Sequence, residues 1–189
     1  MKAIVFDFFG VICSEITPFV LPRYMPAEEA ISYKASVVEE ADRGAIDLPE
    51  VLELLSQRTG ASPAQLLAEF WSCVKIDPAM VALIEDVKTR YKTALLSNAM
   101  NPFLRQILAQ HDLERLFDVM VISCEEGVTK PNPEIYRLVV ERLAVAAGDC
   151  LFTDDNPVNV AAARTAGLAA VHFTSVETLK SELAAKGVL

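Results

Sequence analysis

Four apolar runs in this sequence end on residues able to do chemistry. "AIVFDFFGVI" places Asp7 directly after a hydrophobic stretch, and "TALLSNA" ends on Ser97 and Asn98. "DVMVIS" runs into "CEEGVTKPNPEIY", which carries Lys130, and "CLFTDDN" ends on Asp154 and Asp155. Singly, each has a plain explanation: a turn cap, a helix cap, a solvated lysine. Together they bring three carboxylates, a hydroxyl, an amide and an ammonium to the ends of successive runs. If the runs are strands of one open sheet, these groups share a rim, because such sheets bind ligands beyond the carboxyl ends of their strands. Three acids on one rim repel one another unless a cation or a proton intervenes. A hard divalent ion with oxygen ligands satisfies them, and Mg²⁺ is the usual ion where phosphate also binds. Lys130 is then free to balance a substrate anion.

The elements that must position these groups are legible. Residues 3–6, 93–97, 118–123, 150–153 and 169–173 are short apolar runs rich in Val, Ile, Leu or Phe, too short for helices. Apolar on both faces, they suit parallel strands covered by helices. A small polar residue followed by proline occurs at Ser62-Pro63, Asp77-Pro78, Asn101-Pro102, Asn132-Pro133 and Asn156-Pro157, and each pair predicts a helix start. Gly167 predicts a helix stop. Between residues 14 and 91 no strand is predicted. Helical stretches stand there instead: "SYKASVVEEADRG", "LPEVLELLSQRTG" with an Asp47–Glu50 capping box, and "SPAQLLAEFWSCV", whose Phe70, Trp71 and Val74 form a core-type stripe. The pattern predicts an α/β fold: a three-layer core of residues 1–13 and 81–189, and a small all-helical cap of residues 14–80 inserted after the first strand. The connections are expected near 14–24 and 76–80, where prolines gather.

Composition narrows the function. The 189 residues are 52% hydrophobic and 23% charged, enough for a substantial core. The net charge of -9 repels nucleic acid. No run is long enough to span a membrane. "MKAIVFDFFGVI" faintly resembles a leader, but Asp7 interrupts it and no small-residue cleavage site follows. Cys13, Cys73, Cys124 and Cys150 show no paired spacing and are expected as thiols of a cytoplasmic protein. His111 and His172 stand alone and are expected as surface or packed residues. A monomer or a homodimer is expected.

In order, "VFDFFGV", "LLSNA", "KPNPEIY" and "FTDDNPVNVAAA" resemble the four motifs of the haloacid dehalogenase superfamily, most of whose members are Mg²⁺-dependent phosphatases. The motifs span essentially the whole chain, and the helical insertion matches the family's cap. The paired acids, with Asn159 in place of a further acid, resemble the branch holding the amino-terminal phosphatase domain of epoxide hydrolase and bacterial sugar-phosphate phosphatases. The resemblance implies a Rossmann-like core and a hydrolase acting on a small phosphorylated metabolite. It implies Asp7 as the nucleophile, forming an aspartyl phosphate. Ser97 would hold a phosphoryl oxygen, with Asn98 aiding through its amide, and Lys130 would neutralise the nucleophile and the transferring group. Asp7, the Phe9 carbonyl, Asp155 and Asp154 would hold Mg²⁺.

Phe9 departs from the pattern. Phosphatases of this family usually carry a second aspartate there, which protonates the leaving oxygen and then activates water. Loss of a general acid–base typically costs about 10²–10⁴-fold. Hydrolysis of esters with poor leaving groups is therefore expected to be slow unless another residue, or the substrate, supplies the proton. Phe9 also keeps alternatives open. A 2-haloacid dehalogenase has an aromatic residue at this position, but it needs no metal and lacks the paired acids. A phosphonate hydrolase needs a cap lysine, for which Lys34 and Lys75 lie in the right segment. A regulatory phosphate-binding protein would have lost turnover. Arg23, Tyr24 and Arg43 lie where they could reach a substrate anion, solvation being the plainer role.

Overall fold

Ala3–Phe6 (β1) is a strand because both its faces have apolar layers to meet. Ile4 and Phe6 join one buried cluster, and Ala3 and Val5 join another. All four are fully buried, as expected for a parallel strand covered on both sides. In the computed structural model, which describes residues 1–189, β1 is followed by Lys92–Ser97 (β2), Val119–Ile122 (β3), Cys150–Asp154 (β4) and Ala169–His172 (β5). The ends of the strands differ from the predicted ones by one residue at most. Every pairing is parallel, in the order β3-β2-β1-β4-β5. β1 is central, and the chain winds outward from it in both directions. Asp7 therefore leaves the sheet at the switch point, where a crevice opens between the two windings.

Helices cover both faces. Pro78–Lys88, Phe103–Gln110 and Val176–Ala185 bury residues such as Ile84, Ile107 and Leu179 against one face; Pro133–Leu143 and Pro157–Thr165 bury Tyr136, Val139 and Val160 against the other. No helix is long and apolar enough to cross a membrane. Four of the five predicted helix starts carry the expected cap: Ser62, Asp77, Asn132 and Asn156 accept from the N–H groups of Gln65, Ala79, Glu134 and Val158. The fifth does not. The Phe103–Gln110 helix has Pro102 at its cap and no side-chain cap bond, while the Asn101 carbonyl accepts from Leu48 N–H at 2.8 Å. Asn101 is used as a docking point for the inserted helices.

Between Phe6 and Lys92 the chain builds helices and no sheet strand. It enters and leaves this segment side by side: Ser14 N–H donates to Lys75 O, and Asp77 N–H donates to Ile12 O. The first long helical stretch begins earlier than predicted, at Ala27. It runs through a π-helical turn at Lys34–Val38 and ends at Asp42. The extra residue in a π turn re-aims the side chains that follow it. Leu48–Thr59 has the predicted Asp47–Glu50 capping box. The segment shares one apolar cluster with the core, so Phe70 and Trp71 meet Phe103 edge-on at 5.9 and 5.2 Å.

A polar bridge fixes this contact. The fully buried Ser123 hydroxyl accepts from Ala99 N–H at 3.0 Å and donates to the Asp42 carbonyl, tying the ends of β2 and β3 to the inserted helix. Beside it Gly44 (φ +78°) lies so close that a Cβ would stand 2.3 Å from the Cys124 carbonyl oxygen. Ser123→Ala leaves a buried N–H and a carbonyl without partners. It is expected to cost about 1–3 kcal/mol in chemical denaturation, without changing the fold.

Candidate active site

β1 extends its ladder one residue past its end, where Asp7 N–H donates to Thr153 O at 3.0 Å. The chain then turns sharply. The N–H groups of Val11, Ile12 and Cys13 all converge on the Phe8 carbonyl, and the Phe9 carbonyl accepts no hydrogen bond within the protein. Gly10 makes the turn possible for two reasons: its φ is +79°, and a Cβ there would stand 2.3 Å from Asp155 Oδ2. The turn thus brings the first motif against the last.

Lys130 is 4% exposed and stands between two acids, with Nζ 2.7 Å from Asp7 Oδ1 and 2.6 Å from Asp154 Oδ2. It also lies 5.5 Å over the Phe152 ring. Its backbone is clamped by Asn98, whose Oδ1 accepts from Lys130 N–H at 2.8 Å and whose Nδ2 donates to Lys130 O at 2.9 Å. Asn98 thereby positions the lysine, while the second N–H of its amide stays uncommitted on the cavity wall. Asp154 is fully buried. Oδ1 accepts from Asn156 N–H and Asn159 Nδ2, and Oδ2 from Lys130 and Asn159. Asn159 is anchored in turn, its carbonyl accepting from Tyr136 Oη at 3.0 Å.

Carboxylate oxygens of Asp7, Asp154 and Asp155 lie within 4.8 Å of one another. Burial pushes the Asp7 carboxyl well above its ordinary range, and the Asp154 charge adds to this while Lys130 opposes it. Burial and then Asp154 likewise raise Asp155. Burial alone would lower Lys130, but the two carboxylates outweigh it and keep the ammonium charged. Three acids facing one ammonium leave two negative charges unbalanced. Hard oxygen donors, an unpartnered carbonyl at Phe9 and a deficit of positive charge fit a divalent cation. The residues with free oxygens for it are Asp7, Asp155 and Phe9. Asp154, also expected among the ligands, has both oxygens spent on internal donors, so it stands behind the site.

A cavity of about 320 Å³ opens over Asp7, Lys130 and Asp155. Its apolar wall includes Phe9, Ile16, Val38, Phe70 and Phe103; its polar wall includes Glu15, Lys34, Glu39 and Asp42. Phe70, expected as core, thus also faces the cavity. Ser97 ends β2 fully buried and off the cavity wall, its hydroxyl 3.4 Å from the Asn98 carbonyl. Arg23 and Arg43 pair with Glu69 and Glu39 on the surface, and neither they, Tyr24 nor Lys75 line the cavity. Arg23 and Arg43 are turned outward into local pairs, Lys75 is exposed, and Tyr24 packs against the apolar cluster. His172, expected to be unremarkable, donates from Nε2 to the Asp155 carbonyl at 2.8 Å. Glu15, Glu39 and Asp42 were not legible as site residues; an acid in a helical insertion gives no sequence signal of which way it faces.

A doubly wound parallel sheet carrying an aspartate, a lysine and paired acids on its rim defines the class. Residues 1–167 match the model of the haloacid dehalogenase-like hydrolases, and the chain belongs to that family. It is 27% identical over 177 residues to a sesquiterpene phosphatase of Aspergillus oryzae, covering 92% of this chain and 90% of that one. It is 29% identical over 188 residues to a phosphorylated carbohydrates phosphatase of Thermotoga maritima, covering 91% and 84%. Its fold is also that of a family enzyme from Bacteroides thetaiotaomicron solved with magnesium and inorganic phosphate, with a TM-score of 0.80, 21% identity and coverage of 92% and 94%.

Lys130→Met leaves Asp7 and Asp154 buried without a counter-charge and is expected to cost about 3–5 kcal/mol near neutral pH. The folded variant then binds protons more tightly than the unfolded chain does. Its deficit should grow as pH rises above about 4 and shrink below it, which denaturation at several pH values measures.

Proposed function

We propose that the protein is a Mg²⁺-dependent phosphohydrolase acting on a small phosphorylated metabolite through an aspartyl phosphate. The observation that carries this reading is the charge balance of the rim: three carboxylates meet a single ammonium under a cavity. In this reading residues 14–80 are the cap and residues 1–13 and 81–189 the catalytic core. The relatives' substrates, a sesquiterpene phosphate in one case and phosphorylated carbohydrates in the other, agree on the phosphoryl group and differ in what carries it.

Asp7 Oδ attacks phosphorus at the mouth of the central strand, and the ester oxygen departs. Lys130 holds Asp7 in place and draws negative charge from the phosphoryl group as it transfers. The Ser97 hydroxyl is buried behind the cavity wall with only a 3.4 Å contact to the Asn98 carbonyl, so it supports the end of β2 and is given no contact with the phosphoryl group. Asn98 keeps Lys130 in register. Mg²⁺, held by Asp7, Asp155 and the Phe9 carbonyl, would supply charge neutralisation between the nucleophile and the phosphoryl group. Water then cleaves the aspartyl phosphate and frees Asp7. The apolar wall around Phe9 excludes solvent, and the cavity volume limits the substrate to a small molecule.

A panel of phosphorylated metabolites, assayed with Mg²⁺ and with EDTA, should show phosphate release only with the metal. 2-Chloropropionate assayed alongside should release no chloride. Phosphate release that is indifferent to EDTA, or chloride release, would refute the reading. Asp7→Asn is isosteric at the end of a packed strand and should fold normally yet lose turnover; activity retained in a folded preparation removes Asp7 as nucleophile. In calorimetric titration, Asp155→Ala should bind Mg²⁺ at least about tenfold more weakly, in line with losses seen when ion-site residues change. Asp154→Asn should change the affinity less.

A further inference from the structure

With Phe9 in the place of an acid, something else must protonate the departing oxygen. Three acids outside the rim cluster line the cavity: Glu15, Glu39 and Asp42. Glu39 is exposed and paired with Arg43 at 3.1 Å. Glu15 lies in the field of Lys34 and Lys130 but also of both rim acids, Asp155 and Asp154. Asp42 differs from both in being docked. Its carbonyl accepts from Ser123, which also receives Ala99 N–H from the loop after β2, and Gly44 two residues on is pressed against the Cys124 carbonyl. The half-buried side chain therefore faces the cavity from a helix end held at a fixed place relative to the rim.

We propose that Asp42 is the general acid–base of this enzyme, acting across the cavity from the helical lobe in place of the acid missing at position 9. The proposal rests on the phosphohydrolase reading. As Asp7 Oδ bonds to phosphorus, the bond from phosphorus to the ester oxygen breaks, and the Asp42 carboxyl gives that oxygen its proton. The product leaves as a neutral alcohol. Asp42, now a carboxylate, takes a proton from the water that attacks the aspartyl phosphate. The bond from phosphorus to Asp7 breaks, phosphate leaves, Asp7 is again a carboxylate, and Asp42 is again neutral.

The surroundings suit a group that must give and take a proton. Burial raises the Asp42 carboxyl to about 7, with Glu39 and Glu15 adding and Lys34 and Lys130 opposing. The Cys124 thiol, from the segment after β3, lies within the field of Asp42. A group titrating near the working pH is the most effective general acid–base.

The Mg²⁺-loaded parent and Asp42→Asn are compared in single-turnover assays on 4-nitrophenyl phosphate, phenyl phosphate and a simple alkyl phosphate. The variant should release nitrophenolate at nearly the parent rate in the first turnover and then stall. It should release the alkyl alcohol about 10²-fold more slowly, at the low end of general acid–base effects. The parent's alkyl-ester rate should fall above pH about 7 as Asp42 loses its proton, a limb absent with 4-nitrophenyl phosphate and absent in the variant. Equal loss on every ester, or no loss on any, overturns the proposal. If Asp42→Asn does not fold, the parent's two pH profiles decide: identical profiles for the alkyl and nitrophenyl esters overturn it. A parent that releases phosphate from none of the esters refutes the phosphohydrolase reading itself.

Discussion

The structure depends on one ammonium held between two buried carboxylates. Taking three charges out of water costs several kcal/mol per ion, and only close geometry with further hydrogen bonds offsets it. Lys130 meets Asp7 and Asp154 at 2.7 and 2.6 Å, and each member is held by another contact. Asn98 clamps the lysine backbone, Asn159 and Asn156 fill the Asp154 oxygens, and Tyr136 holds Asn159. The four motifs are thus one network spanning β1, β2, β4 and the loop after β3. The triad explains why Asp7 is presented at a fixed point, and why the rim keeps a deficit of positive charge that a cation would fill.

Close backbone approach carries the same logic outward. Gly10 brings the first motif against Asp155, and Gly44 brings the helical lobe against the end of β3. Any side chain at either position would push apart two surfaces that the site needs together. Between these contacts lies a cavity with an apolar wall from both lobes and an acidic wall from the inserted helices. On the phosphohydrolase reading, the core handles the phosphoryl group, which is common to every substrate of this class, and the inserted lobe faces the leaving group, which is not. A lobe that docks through Ser123 and Leu48 can therefore contribute both selectivity and a proton without altering the charge balance of the rim.

By itself the sequence determined the five strands, their parallel packing, the helical insertion and the rim residues Asp7, Lys130 and Asp155. These signals are local: an apolar run buried on both faces, a cap residue before proline, an acid at the end of a strand. It also exposed the missing acid at Phe9, since a residue type is read directly. Tertiary structure alone decided how the polar groups divide their work. Asn98 turned out to clamp Lys130, because residues 32 positions apart meet only when β2 and the following loop pack. Asp154 turned out to serve the lysine, because its oxygens are filled by donors the strand pattern cannot register. Asp42 and Glu15 entered the cavity while Arg23 and Arg43 left it, because the direction a helical side chain faces is set by how the lobe docks. That docking comes from contacts between residues as far apart as Asp42 and Ser123.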